Sequence, residues 1–207
     1  MSVKQEIIEK STALFFKFGI RSVSMDELAS HLGMSKKTIY QYFENKDDLV
    51  RQTVMDFLEK DLVITRAIRD RSSNSIEELL LLVRNMVQLL RSVSPTIIYD
   101  LQKYYRPVWD EMQNFHKEHD YTLIKENIKR GQANGLYRAD IDVNVATRFH
   151  MALSFSIVDE EMFPSKTYPK DKLVMELIKH SLHSWVTEKG RAVWQSLEAL
   201  SSAAAQS

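Results

Sequence analysis

Val23-Ser24-Met25-Asp26-Glu27-Leu28-Ala29-Ser30-His31-Leu32-Gly33-Met34-Ser35-Lys36-Lys37-Thr38-Ile39-Tyr40-Gln41-Tyr42-Phe43 decides the fold of this chain. Ser24 and Glu27 have the spacing of a capping box, in which each side chain satisfies a free amide at a helix start. Met25, Leu28, Ala29 and Leu32 recur at i, i+3, i+4 and i+7, which gives that helix one apolar face. Gly33 ends it, because glycine enters the left-handed region without a steric penalty. Ser35 is placed to cap the next helix, in which Ile39 and Phe43 share a buried side. Lys36, Lys37, Thr38, Tyr40, Gln41 and Tyr42 are left facing outward. Two short helices about a tight turn, the second with a polar outer face, read as a helix-turn-helix. Such a unit sets its second helix in the major groove of DNA.

Outward from this stretch the pattern runs from about Lys4 to Leu49. An amphipathic helix precedes it, and Phe43-Glu44-Asn45-Lys46-Asp47-Asp48-Leu49 follows it, with Lys46 opening a long fourth helix. With the capped scanning helix, the Gly turn and a recognition helix of form Thr-Ile-Tyr-x-Tyr-Phe, these residues resemble the DNA-binding domain of the tetracycline-repressor (TetR) family. On that footing Lys36, Lys37, Tyr40 and Gln41 are expected at base edges. Lysine donates to guanine, glutamine pairs with adenine and a tyrosine ring meets a thymine methyl. Ser24, Thr38, Tyr42 and Lys46 are assigned to backbone phosphates.

The chain has 207 residues, enough for one substantial core or two small domains. It lacks cysteine, which excludes a disulfide scaffold and cysteine-based metal sites. No apolar run nears the roughly 20 residues that span a bilayer, and the N-terminus is charged and amphipathic, so no membrane partner and a cytoplasmic location are expected. A net charge of zero gives no global attraction to nucleic acid. Binding depends on the local field, however, and from Gly33 to Phe43 the chain carries two lysines and no acid.

Beyond the head, helical spacing continues to the end. The first helix is predicted over Val3–Phe18, and the fourth runs from Lys46 to about residue 68. Ser75 with Glu78 reads as another capping box before an apolar helix from Ile76 to Ser92. Ser94-Pro95 starts a further helix ending near Arg106, and the next runs from Val108 to about Asn134 and stops at Gly135. Asp142 caps a helix from Val143 to about Glu161, and a last helix reaches about Thr187. The prediction is an all-α chain of about nine helices: a head at residues 1–47, a body at 48–190 and a fraying tail at 191–207.

His116 with His119, and His180 with His183, are spaced i, i+3. No Glu-x-x-His and no phosphate loop or nucleophile elbow accompanies them, so no catalytic residue, metal or cofactor is expected. Met86, Tyr99, Tyr104, Tyr105, Trp109, Met112 and Phe115 give the body many aromatic and pliable side chains. The resemblance implies an effector pocket there, between the helix from Lys46 and those spanning about residues 76–134, with Arg106 or His116 orienting the ligand. Phe149 and Leu153 lie on one apolar helix face, Ile178, Leu182 and Trp185 on another, and the resemblance implies a homodimer that pairs these helices. The function expected is a homodimeric repressor that reads a palindromic double-stranded operator and leaves it when a small apolar effector binds. A regulator answering to a protein partner or acting architecturally stays open, with a helical enzyme more distant.

Overall fold

The computed structural model describes residues 2–92, 94 and 96–204. Among them are ten helices: α1 (Val3–Phe18), α2 (Met25–Leu32), α3 (Lys36–Tyr40), α4 (Lys46–Arg71), α5 (Ser75–Ser92), α6 (Thr96–Tyr104), α7 (Arg106–Ala133), α8 (Val143–Ser156), α9 (Lys170–Trp185) and α10 (Glu188–Ala204). Extended pairing among the described residues is limited to one antiparallel bridge, Tyr137 to Val186. Pro95, expected to open α6, lies outside the described residues. The chain divides into two compact units, Met1–Ile64 with Ser92–Phe115, and Thr65–Arg91 with His116–Ser207.

The first unit holds the helix-turn-helix. Ile7, Phe15, Ile20, Leu28, Ile39, Phe43, Leu49 and Val50 are buried, as are Ile97, Leu101, Tyr105, Val108 and Trp109 from α6 and the start of α7. Several polar bonds fasten α6 to the head and α7 to α4 within this unit. Ser94 N donates to Phe16 O, and Arg21 N donates to the buried Asp100 carboxylate at 3.0 Å. Arg51 forms a two-pronged ion pair with Glu111 at 2.6–2.7 Å.

The second unit packs Ile76, Leu79, Val83, Ile124, Ile128, Leu136, Tyr137, Met151, Ile178, Leu182, Trp185, Val186 and Trp194 into one core. A buried polar network crosses it. Asn127 Nδ2 donates to Glu78 Oε2 at 2.6 Å and to Ser75 O at 2.8 Å, Tyr137 Oη donates to Asn127 Oδ1 at 3.1 Å, and Arg130 pairs with Glu78. Glu78 is therefore not the partner in a capping box. The α5 amides of Ile76 and Glu77 are capped by Asn74 Oδ1, both at 3.0 Å.

The predicted fraying tail is helical. α10 carries Trp194 into the core, with Val193 and Leu197 packed beside it. Its approach requires Gly190: a Cβ there would come within 2.1 Å of Leu136 O, backbone that has no room to move. Thr187 N donates to Leu136 O, and Arg138 N to Trp185 O, locking the start of α10 to the segment after α7. The predicted helix after Asp142 also ends early, at Ser156, before a turn in which Glu160 accepts from Ser165 and Lys170.

Candidate nucleic-acid interface

Local bonds position the candidate reading helix. Ser24 Oγ accepts from Glu27 N at 3.2 Å, and Glu27 Oε2 accepts from Ser24 N at 2.7 Å, which completes the predicted box. The Ser24 backbone N–H, then the Ser24 side chain, hold the Glu27 carboxyl below the usual carboxylate range. At the other end of α2, Gly33 sits at φ 64°, ψ 29°, and Met34 N reaches back to Ala29 O at 3.0 Å. That left-handed closure sets the angle at which the chain turns into α3. Ser35 Oγ accepts from Thr38 N at 3.1 Å and shares a 2.9 Å bond with Thr38 Oγ1.

α3 is short, five residues, and Gln41 and Tyr42 follow it in a tighter turn with Tyr42 N bonded to Ile39 O. Ile39 and Phe43 are buried, which fixes the rotation of the segment about its axis. The opposite side consequently presents Lys36, Lys37, Tyr40, Gln41 and Tyr42 to solvent. Tyr40 keeps 47% of its surface exposed and Tyr42 39%, high for aromatic rings that have no apolar partner to seek. Lys36 pairs with Asp26 at 2.9 Å. Both side chains are well exposed, and solvent screens such pairs until they hold only weakly, so a phosphate or base edge can displace Asp26.

Two of the eight predicted DNA-facing residues are partly withdrawn. Thr38 is half-buried and bonded to its cap. Lys46 is half-buried too, and its ammonium donates to Ile20 O at 2.8 Å, so it braces the turn between α1 and α2. Desolvation lowers its pKa, against the pull of Asp100. This brace has no signature in the local sequence, because Ile20 and Lys46 meet only once the three helices have packed.

The predicted effector residues are divided between the two units. Met86, half-buried on α5, and His116, bonded to Asp120 at 2.9 Å, belong to the second unit, and Tyr99 to Phe115 belong to the first. Tyr105 and Trp109 are buried, and burial pushes the Tyr105 phenol up to about 12. Met112 and Phe115 are half-buried. Tyr99 and Tyr104 instead lie on the surface against Lys103 and Arg21, and Arg106 pairs outward with Asp110. A cavity of about 280 Å³ does lie in the second unit, but Lys179, His183, Arg191, Trp194, Gln195 and Glu198 line it, none of them a predicted effector residue.

The predicted dimer residues separate sharply. Ile178, Leu182 and Trp185 are core residues of their own chain, with Leu182 at 0% exposure and the Trp185 ring edge-on to Tyr137. They were expected at a subunit contact because helical spacing marks a buried face without saying what buries it. Phe149 and Leu153 are the reverse: 68% and 42% exposed on α8, in line with exposed Val145.

Comparison with known proteins agrees with this geometry. Residues 7–53 match the bacterial regulatory proteins of the tetR family. An uncharacterized HTH-type transcriptional regulator of Bacillus subtilis, YvaF, is 32% identical over 98 residues, 47% of this chain, and the chain spans only about half of that relative (52%). The HTH-type transcriptional repressor KstR2 of Mycobacterium tuberculosis is 23% identical over 160 residues, 72% of this chain and 76% of that protein. The solved structure of this ketosteroid transcriptional regulator has a TM-score of 0.55 at 19% identity, covering 90% of this chain and 96% of its own. Bacillus subtilis FadR, solved with stearoyl-CoA, has a TM-score of 0.65 at 15% identity, covering 87% and 98%. At such identities the structural likeness establishes the fold alone. The helix-turn-helix of this chain is thus similar to that of the bacterial regulatory proteins of the tetR family, and its all-helical architecture is shared along most of its length with solved regulators of that kind.

Proposed function

We propose that this protein is a homodimeric, sequence-specific transcriptional repressor that leaves a palindromic operator when a small, largely apolar effector binds. The observation that carries the DNA-binding part is the face of α3: Lys36, Lys37, Tyr40, Gln41 and Tyr42 exposed together on a segment pinned by buried Ile39 and Phe43. A helix held this firmly enters a major groove with little ordering cost, and those side chains match the donor and acceptor pattern of base edges. Ser24, Thr38, Tyr42 and Lys46 remain the candidate phosphate contacts, Lys46 through the donors that Ile20 leaves to it.

Effector release has support of a different kind. KstR2 is a ketosteroid transcriptional regulator and FadR was solved in complex with stearoyl-CoA, which supports a large apolar effector for this chain. Within the first unit, α6 and Ser94 before it are tied to the head through Asp100–Arg21 and Ser94–Phe16, and α7 is tied to α4 through Arg51–Glu111. A ligand that strained α6 would act on the head through those bonds.

Selection of bound duplexes from a random pool tests the reading. A two-fold symmetric site should emerge, its half-sites one helical turn or a multiple apart. Gln41→Ala and Lys37→Ala should then alter the preferred bases, with a loss of about 1–3 kcal/mol per contact on the original site. Recovery of nothing beyond weak, salt-sensitive and sequence-blind binding would overturn it.

A further inference from the structure

We propose that Arg21, Tyr99, Lys103 and Tyr104 form a second phosphate-gripping surface, which holds operator DNA flanking the base pairs read by α3. The inference rests on the DNA-binding function proposed above. The four side chains form one exposed cluster in the same unit as the helix-turn-helix. The Arg21 guanidinium lies 4.1 Å from the centre of the Tyr104 ring. Lys103 Nζ sits 5.1 and 5.4 Å from the centres of the Tyr99 and Tyr104 rings and donates to Tyr99 Oη at 2.6 Å. The two rings meet edge to face at 6.2 Å.

Chemistry and position both favour phosphate. Cations held over aromatic faces are pre-oriented, so fewer rotamers are lost when an oxyanion takes their remaining donors. The tyrosine hydroxyls add neutral phosphate donors beside them. Asp100 beside Arg21 is buried and already accepts from Arg21 N, and Glu27 is closed into its capping box; Asp47 is the exposed carboxylate whose charge also reaches this corner of the unit. Arg21 also neighbours the expected phosphate contacts. It follows Ile20, whose carbonyl receives the Lys46 ammonium, and it precedes Ser24 by three residues. Gly19 brings this turn against α6 so closely that a Cβ there would meet Thr96 Oγ1 at 2.5 Å. Arg21 and Lys103 therefore extend the candidate phosphate contacts Ser24 and Lys46 onto α6. In this arrangement the faces of the Tyr99 and Tyr104 rings are occupied by charge.

Fluorescence anisotropy with the selected operator, as a minimal duplex and as one extended by half a helical turn at each end, tests this. Wild type should bind the extended duplex more tightly and with a steeper dependence on salt. The Arg21→Gln/Lys103→Gln double variant should lose that advantage, its log–log salt slope falling by about 0.9 for each phosphate contact removed, and its ranking of operator variants should not change. Lys103→Glu should weaken extended-duplex binding further, and wild-type thermal melting of these surface variants certifies the fold. A double variant that binds the extended duplex with wild-type affinity and slope overturns the second surface and leaves the helix-turn-helix reading standing. A wild type that selects no operator overturns that reading itself.

Discussion

His150 is a buried histidine whose acid–base chemistry departs far from its usual behaviour. It lies inside the second unit with Nδ1 2.9 Å from Ser181 Oγ and its ring centre 5.5 Å from that of Trp185. Burial pushes the imidazole down to about 4, with Asp120 opposing more weakly. An unfolded chain holds this histidine at its ordinary value near 6.5, so between about pH 6.5 and 4 the unfolded state binds the extra proton. Folding stability is therefore full above that window and falls as pH drops through it, by on the order of 3 kcal/mol from this group alone. Thermal melts at stepped pH should show the decline in wild type and a flatter profile for His150→Gln in the same window. Equal slopes in the two proteins would assign the acid sensitivity elsewhere. Nothing in the sequence around Phe149-His150-Met151 foretold this, because a histidine on an amphipathic helix looks the same whether its face turns inward or outward.

Elements were legible where their signals are local. Ser24, Glu27, Gly33 and Ser35 act on amides within five residues of themselves, so α2, the turn and α3 appear in the structure as the spacing predicts. The same Ser-x-x-Glu spacing at Ser75 and Glu78 misled, since Asn127 and Arg130, about fifty residues away, draw Glu78 into the core and leave capping to Asn74. α10 was missed for a related reason: the small residues that suggest a frayed tail follow the part of the helix that Trp194 anchors. α8 and α9 show what periodicity leaves open, because both have apolar faces and only α8 keeps large apolar groups, Val145, Phe149 and Leu153, in a solvent-facing line. A subunit contact stable enough for obligate pairing buries upwards of roughly 2,000 Å², and this line is where we expect its centre. Phe149→Asp should give a protein that melts like wild type, sediments as a monomer and has lost operator binding. Leu182→Asp should not fold, because it sets an unpaired charge in a closed core. A Phe149→Asp protein that still sediments as a dimer would move the contact off α8.

For the whole molecule, the proposed release from DNA rests on a coupling between effector and operator binding. A ligand that binds only the folded protein raises its melting point whether or not it touches DNA binding, by about 2.7 kcal/mol at a hundred times its Kd. Stabilisation alone therefore does not mark an inducer. Release requires that the ligand prefer the state that does not hold DNA, and such coupling is typically about 1–3 kcal/mol, a change of roughly 5- to 150-fold in affinity. Stearoyl-CoA and a ketosteroid are the probes suggested by the relatives, each titrated against free protein and against protein saturated with operator. The factor by which the effector weakens DNA binding should equal the factor by which DNA weakens effector binding, because both measure one free-energy difference. Substitutions in α6 give the second arm. Asp100→Asn keeps the shape of the side chain but weakens its hold on Arg21 N, and should shrink the coupling factor more than it shrinks ligand-free operator affinity. Trp109→Ala is a poorer probe than the sequence suggested, since the ring is buried and its loss costs about 3–5 kcal/mol of stability before any ligand is added. If both compounds raise the melting point and neither alters operator affinity, effector release by molecules of this class is wrong. The protein would then be a DNA-binding regulator governed by something other than a large apolar ligand.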